Sequence, residues 1–183
     1  MRPPRSLRGL LAFALVATLL GLMPAATSAP KLVTLGTDAT GDAPPSLDLT
    51  YLQVRKAGAN LEIRIGIDGI VPELEGADPA GIEWIFKSRN KTYLAEAYSE
   101  MGEPGFLLFQ VTGSSFKEIA TLKGTYDHVD GFARILVPLK KIGAARGTKI
   151  SGVNDVDVDS HVHALVTTHY SDTLDTKRAY VIP

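Results

Sequence analysis

Three groups of side chains have the types and spacing to do chemistry. Asp38-Ala39-Thr40-Gly41-Asp42, with Asp48 six residues further on, presents carboxylates from a glycine turn. Calcium is a hard cation that takes about six to eight oxygens, and Asp38, Asp42 and Asp48 are the carboxylates such a site draws on. Asp and Gly also build turns for purely conformational reasons, with no ion involved. The loop lacks the ligand spacing and terminal Glu of a helix–loop–helix calcium site.

The second group is Asn154-Asp155-Val156-Asp157-Val158-Asp159-Ser160-His161-Val162-His163. Extended throughout, it puts Asp155, Asp157, Asp159, His161 and His163 on one face and valines on the other. His161 and His163 together can bind a transition metal when a neighbouring strand adds a third ligand. A solvent-facing strand carries polar residues at every second position without any metal. The third group is aromatic. Trp84, the only tryptophan, alternates with Ile82 and Phe86, which places it on a core face. Tyr93, Tyr98 and Tyr126 have polar neighbours and are the candidates for exposed rings that contact a ligand.

Catalytic signatures are missing. The chain holds no Gly-x-Ser-x-Gly elbow, no His-Glu-x-x-His helix, no Walker loop and no dinucleotide fingerprint. Glu62, Glu83 and Glu96 are carboxylates spread over different strands, and only their separation in space decides whether two can cooperate in glycoside hydrolysis. The reading is therefore of a protein that is not an enzyme.

Strands must position these groups, because the apolar pattern has a period of two. Leu61-Glu62-Ile63-Arg64-Ile65-Gly66-Ile67-Asp68 alternates without a fault. It follows the segment 47–55 through a glycine-bearing loop at 56–60. Leu47, Leu49 and Tyr51 share one side of that first segment before the pattern drifts, as it does in a bulged strand. Further strands are expected at 81–88, 92–98, 105–111, 116–123, 131–137, 149–157, 161–170 and 179–182. Turns are expected at Asp68-Gly69, Arg89-Asn90, Glu103-Pro104-Gly105 and Asp130-Gly131. One short helical turn is expected at Pro138-Leu139-Lys140-Lys141-Ile142, closed by Gly143. The fold class is all-β: an antiparallel β-sandwich of about ten strands, jelly-roll or immunoglobulin-like, with that one helical turn.

The 183 residues include no cysteine, which removes disulfide scaffolds, zinc fingers and iron–sulfur centres. Arg2, Arg5 and Arg8, an apolar run from Leu10 to Met23 and the small residues at 25–29 form a secretory signal peptide over 1–28. A single domain over 29–183 follows. Removing the leader leaves 16 basic against 20 acidic side chains, a net charge of −4. No cluster of Lys and Arg suits nucleic acid, and no second long apolar run suits membrane insertion. The expected location is outside the cytoplasmic membrane.

Asp38-x-x-Gly41-Asp42, Leu47-Asp48-Leu49, the strand 61–68, Gly131-Phe132-Ala133-Arg134-Ile135-Leu136-Val137-Pro138-Leu139, Gly143, Gly147 and Val153-Asn154-Asp155 come in an order that resembles a secreted β-sandwich superfamily. Its members are family 9 carbohydrate-binding modules, DOMON domains and the C-terminal domains of glucodextranase-like enzymes. The resemblance covers most of the chain beyond the leader. It implies a non-catalytic domain that binds a glycan or cell-envelope component, with structural calcium near the turn that matches Asp38, Asp42 and Asp48. The sugar-binding members clamp ligands between paired tryptophans, and this chain has one. The haem-binding members imply an alternative in which Met101 pairs with His161 or His163. A second alternative is an extracellular structural or interaction domain without a small ligand.

Overall fold

The computed structural model describes residues 30–42, 48–69, 80–100, 103–160, 170–176 and 178–183. The leader, Met101, His161 and His163 lie outside them. The described residues contain twelve strands and no α-helix. They are β1 (Val33–Thr37), β2 (Asp48–Ala57), β3 (Asn60–Asp68), β4 (Ala80–Ser88), β5 (Lys91–Glu100), β6 (Glu103–Thr112), β7 (Ser115–Thr121), β8 (Lys123–Asp127), β9 (Phe132–Pro138), β10 (Lys149–Ser160), β11 (Tyr170–Leu174) and β12 (Ala179–Val181). One antiparallel sheet has the order β1-β2-β3-β9-β8, and the other β11-β10-β4-β5-β6-β7, with β12 pairing β10. The two sheets pack as the expected sandwich.

Alternation decides what fills the space between them. Leu61, Ile63, Ile65 and Ile67 of β3 turn inward, meeting Trp84, Phe86, Tyr93 and Leu108 of the facing sheet in one buried cluster. Trp84 stacks on Phe86 at 4.7 Å between ring centroids, and Phe86 on Tyr93 at 5.8 Å. Small partners make room for these bulky groups: Ala95 stands opposite Trp84, and Ala97 opposite Ile82. Trp84 is therefore in the core, as its alternation partners require.

Two local expectations are revised, and one strand is added. The segment 116–123 is two strands: Leu122, buried and with its N–H donating to the Phe106 carbonyl, is where the chain leaves one sheet and joins the other. Glu103-Pro104-Gly105 is the start of β6 and no turn; the Tyr98 ring lies where a Gly105 side chain would be. β1 was hidden because its five residues contain a bulge, Leu35 being extra between Thr34 and Gly36 in the pairing with β2. The turn after Pro138 forms as expected. Lys141 N–H donates to the Pro138 carbonyl, then Ala144 N–H bonds Leu139 O at 2.9 Å and Gly143 N–H bonds Lys140 O at 3.4 Å, with Gly143 at φ 62°. That is the Schellman closure of a single helical turn.

Candidate functional site

The outer face of the five-stranded sheet brings polar and aromatic groups into transverse rows. Pairing registers place Thr34, Gln53, Arg64, Arg134 and Thr125 side by side across all five strands. Gln53 Nε2 donates to Thr34 Oγ1 at 3.3 Å. One row over stand Tyr51, Gly66 and Phe132, and on the other side Arg55, Glu62, Leu136 and Lys123.

The first of these flanking rows depends on a glycine. Any side chain on Gly66 would meet the Tyr51 ring and Thr50 Oγ1, so the ring lies down over β3 instead of standing away from it. Phe132 is buried beneath the Arg64 guanidinium, 4.7 Å above its ring centroid. Burial holds the Tyr51 phenol above its usual value, opposed by Arg64 and reinforced by Asp130 and Asp127. It stays a neutral donor over the physiological range.

At the centre of the other row is Glu62. Arg55 Nε donates to Oε2 at 2.9 Å, Arg64 Nε to Oε1 at 2.8 Å, and an Arg55 terminal nitrogen lies 2.8 Å from Oε2. Arg134 Nε is 3.3 Å from Oε1, close enough for ion pairing but not aligned as a hydrogen bond. The Glu62 side chain has no exposed surface, yet it is covered by arginines that are themselves 24%, 24% and 35% exposed. It is shielded near the surface and not sunk in the core. Desolvation raises its carboxyl pKa, but hydrogen bonds from Arg64, Arg55 and Arg134 outweigh it and hold the group below the ordinary carboxylate value.

The acidic turn sits at one end of this sheet. Asp48 is buried, its Oδ2 accepts the Gly41 N–H, and its Oδ1 is buried without a hydrogen-bond partner. Asp38 folds onto its own turn, Oδ1 accepting Ala39 N–H at 2.9 Å, and Asp42 is exposed. Among the described residues no three Asp, Glu, His or Cys side chains form a group that could hold a metal ion. The carboxylate directly opposite Asp48 is Asp68, on β3.

The three tyrosines chosen as ligand-contacting rings do not come together. Tyr93 is 3% exposed and belongs to the core, a correction that follows from its pairing with inward-facing Phe86. Tyr126 faces inward from β8 onto Phe106 at 5.6 Å, and burial followed by the nearby Glu96 charge raises its phenol pKa. Tyr98 is half-buried on the outer face of the other sheet, over Gly105. Of the three carboxylates considered for hydrolysis, Glu83 and Glu96 stand opposite each other on that same face, while Glu62 is on the other sheet.

Tyr51 is the aromatic residue that alternation misplaced. Counting by twos from Leu49 puts it in the core, but Thr50 is an extra residue in the pairing of β2 with β3 and turns Tyr51 outward. The drift of the pattern after Leu49 was the available signal. Glu62 and Arg64 were legible as outward residues, whereas their union with Arg55 and Arg134 needed the register of three strands. No family model, no curated protein and no solved structure matches this chain.

Proposed function

We propose that the chain is a secreted, non-catalytic domain that binds a glycan or cell-envelope component on the outer face of its five-stranded sheet. The observation that carries this reading is the set of adjacent rows on that face, a tyrosine ring over Gly66 beside five hydrogen-bonding side chains from five strands. A sugar presents an apolar ring face and a fringe of hydroxyls, so a flat aromatic next to convergent polar groups supplies both kinds of contact. Secretion rests on the leader-like residues 1–28, and the absence of catalytic motifs supports a binding role. A glycan array tests the reading: the parent gives a sugar-specific signal that Tyr51→Ala reduces at least tenfold, and silence of the parent toward every glycan refutes it.

Calcium is retained as a structural ion with a narrowed ligand set. Asp48, with its buried unpartnered Oδ1, and Asp68 opposite it are the carboxylates the proposal keeps; Asp38 and Asp42 do not join them in one group. A second reading, an interaction domain without a small ligand, is favoured by the outer face of the other sheet. There Ile85, Leu107, Phe109 and Val111 are outward by register and half-buried, around a covered Leu94, and Phe116 on the edge strand is 56% exposed. Sedimentation of the parent and of Phe116→Asp separates the two: concentration-dependent association lost in the variant supports the second reading.

A further inference from the structure

From the charge arithmetic around Glu62 we infer that the glycan is acidic, and that Arg55, Arg64 and Arg134 form the subsite for a carboxylate borne on a sugar ring. The inference rests on the glycan reading and names its ligand class. Three guanidiniums surround one carboxylate, an excess of two positive charges within the cluster on a chain whose overall charge is −1, with Asp127 and Asp130 standing on the Tyr51 side of it. Each guanidinium carries five N–H donors. Glu62 accepts from Arg55 Nε and its terminal nitrogen, from Arg64 Nε and, at 3.5 Å, from an Arg134 terminal nitrogen. Most of the roughly fifteen donors therefore remain for an incoming group.

Preorganisation favours the same conclusion. Glu62 holds all three side chains in place, and Phe132 supports the plane of Arg64 from below. Arginines fixed in advance lose little freedom when they bind, and a planar fork matches a carboxylate with two parallel hydrogen bonds. Arg134 Nε is buried 3.3 Å from Glu62 Oε1, so the terminal nitrogens of Arg134, a side chain 35% exposed, are the donors it offers outward. The Tyr51 ring lies one row beyond Arg64, so a sugar stacked there places a ring carboxylate within reach of the arginines.

Calorimetric titration with oligogalacturonate, with its fully methyl-esterified form and with neutral cello-oligosaccharide tests the inference. Binding is expected for the free acid at 50 mM NaCl, weakened severalfold at 200 mM and at least tenfold for the ester. Arg134→Gln and Arg64→Gln should each weaken binding of the acid tenfold or more; the first leaves the bidentate Arg55–Glu62 pair intact and serves as the folded control by its melting curve. Neutral and esterified chains binding as well as the acid, with Arg134→Gln unaffected and Tyr51→Ala abolishing binding, overturns the acidic ligand and leaves the glycan reading standing. Silence toward all three, together with a silent glycan array, overturns both.

Discussion

Replacing Glu62 by Gln removes one charge and almost no volume, so it isolates the electrostatics of the arginine cluster from its packing. In the parent, Oε1 and Oε2 together accept short hydrogen bonds from two arginines and lie within ion-pairing range of the third. An amide offers one oxygen in place of two, and its NH2 points donors at donors. Hydrogen bonds to a charged group contribute about 1.5–3 kcal/mol each, and breaking a fully buried ion pair costs about 3–5 kcal/mol. Those figures are upper bounds, because the arginines are a quarter to a third exposed and regain water when released. The expected loss at pH 7 is about 2 kcal/mol, or roughly 4–8 °C in melting temperature for a domain of this size.

The pH dependence supplies the check. The folded-state pKa of Glu62 is depressed, so its stabilisation is fully present above the unfolded value near 4.5 and is lost as pH falls through the lower folded value. Urea denaturation of parent and variant at pH 7, 4 and 2.5 should give a difference that is largest at pH 7 and shrinks to a few tenths of a kcal/mol in acid. A difference under about 0.5 kcal/mol at pH 7 would refute the assignment of the cluster as an electrostatic clamp. So would a loss of equal size at all three pH values, which would trace it to shape.

Four further outcomes follow. Glu96, pushed above the ordinary carboxylate value by burial, faces Glu83 directly, so Glu96→Gln should stabilise by about 0.5 kcal/mol at pH 7. Because a raised folded pKa means stability lost as pH rises through it, that gain should vanish below about pH 4 in the same urea titrations. Trp84→Phe, which deletes an indole N–H that has no hydrogen-bond partner, should cost about 1–2 kcal/mol, against about 3–5 for Trp84→Ala, in thermal or urea melts. Gly66→Ala should displace the Tyr51 ring and lower both stability and glycan affinity, read by melting and by calorimetry. Added calcium should raise the melting temperature of the parent, and Asp48→Asn should lose that response; an unchanged response ends the calcium proposal.

How much of this was legible in the sequence depends on which interactions are local. Alternation within one strand, as in Leu61 to Asp68, is set by the pleat and can be counted, which is why the sandwich, the core position of Trp84 and the outward Glu62 and Arg64 were all visible. Tyr93 was misread because its polar neighbours on the chain, Lys91 and Thr92, say nothing about its neighbour across the hairpin, the inward Phe86. The switch at Leu122 was invisible for a related reason. An apolar residue inside an alternating run looks the same whether the strand continues in one sheet or crosses to the other. The arginine cluster combines residues 55, 62, 64 and 134, and no local pattern joins the last to the first three.

The bulge at Thr50 is where fold and proposed function meet, and its removal is the sharpest remaining test. On the N-terminal side of Thr50, Leu49 points inward with no exposure and Asp48 outward; on the C-terminal side, Tyr51 points outward and Leu52 inward. Thr50 is unpaired with β3, and its carbonyl instead accepts the Asp38 N–H at 3.0 Å, tying the acidic turn to the bulge. Deleting Thr50 leaves inward Leu49 directly before outward Tyr51, so the alternation on both sides survives and β2 pairs with β3 without a bulge. What goes is the anchor of the acidic turn, because the carbonyl that accepts the Asp38 N–H is removed. One such hydrogen bond contributes about 0.5–1.5 kcal/mol, so the deletion should cost about 1 kcal/mol in urea and keep binding at the outer face. Inserting one residue after Thr50 does the opposite: with the pairing from Tyr51 onward held, the pleat before the insertion is rotated, Leu49 turns to water and its burial, about 1.5–3 kcal/mol, is lost. A deletion variant that loses more than about 3 kcal/mol and no longer binds would show that the bulge itself, and not the alternation around it, holds Tyr51 on the outer face.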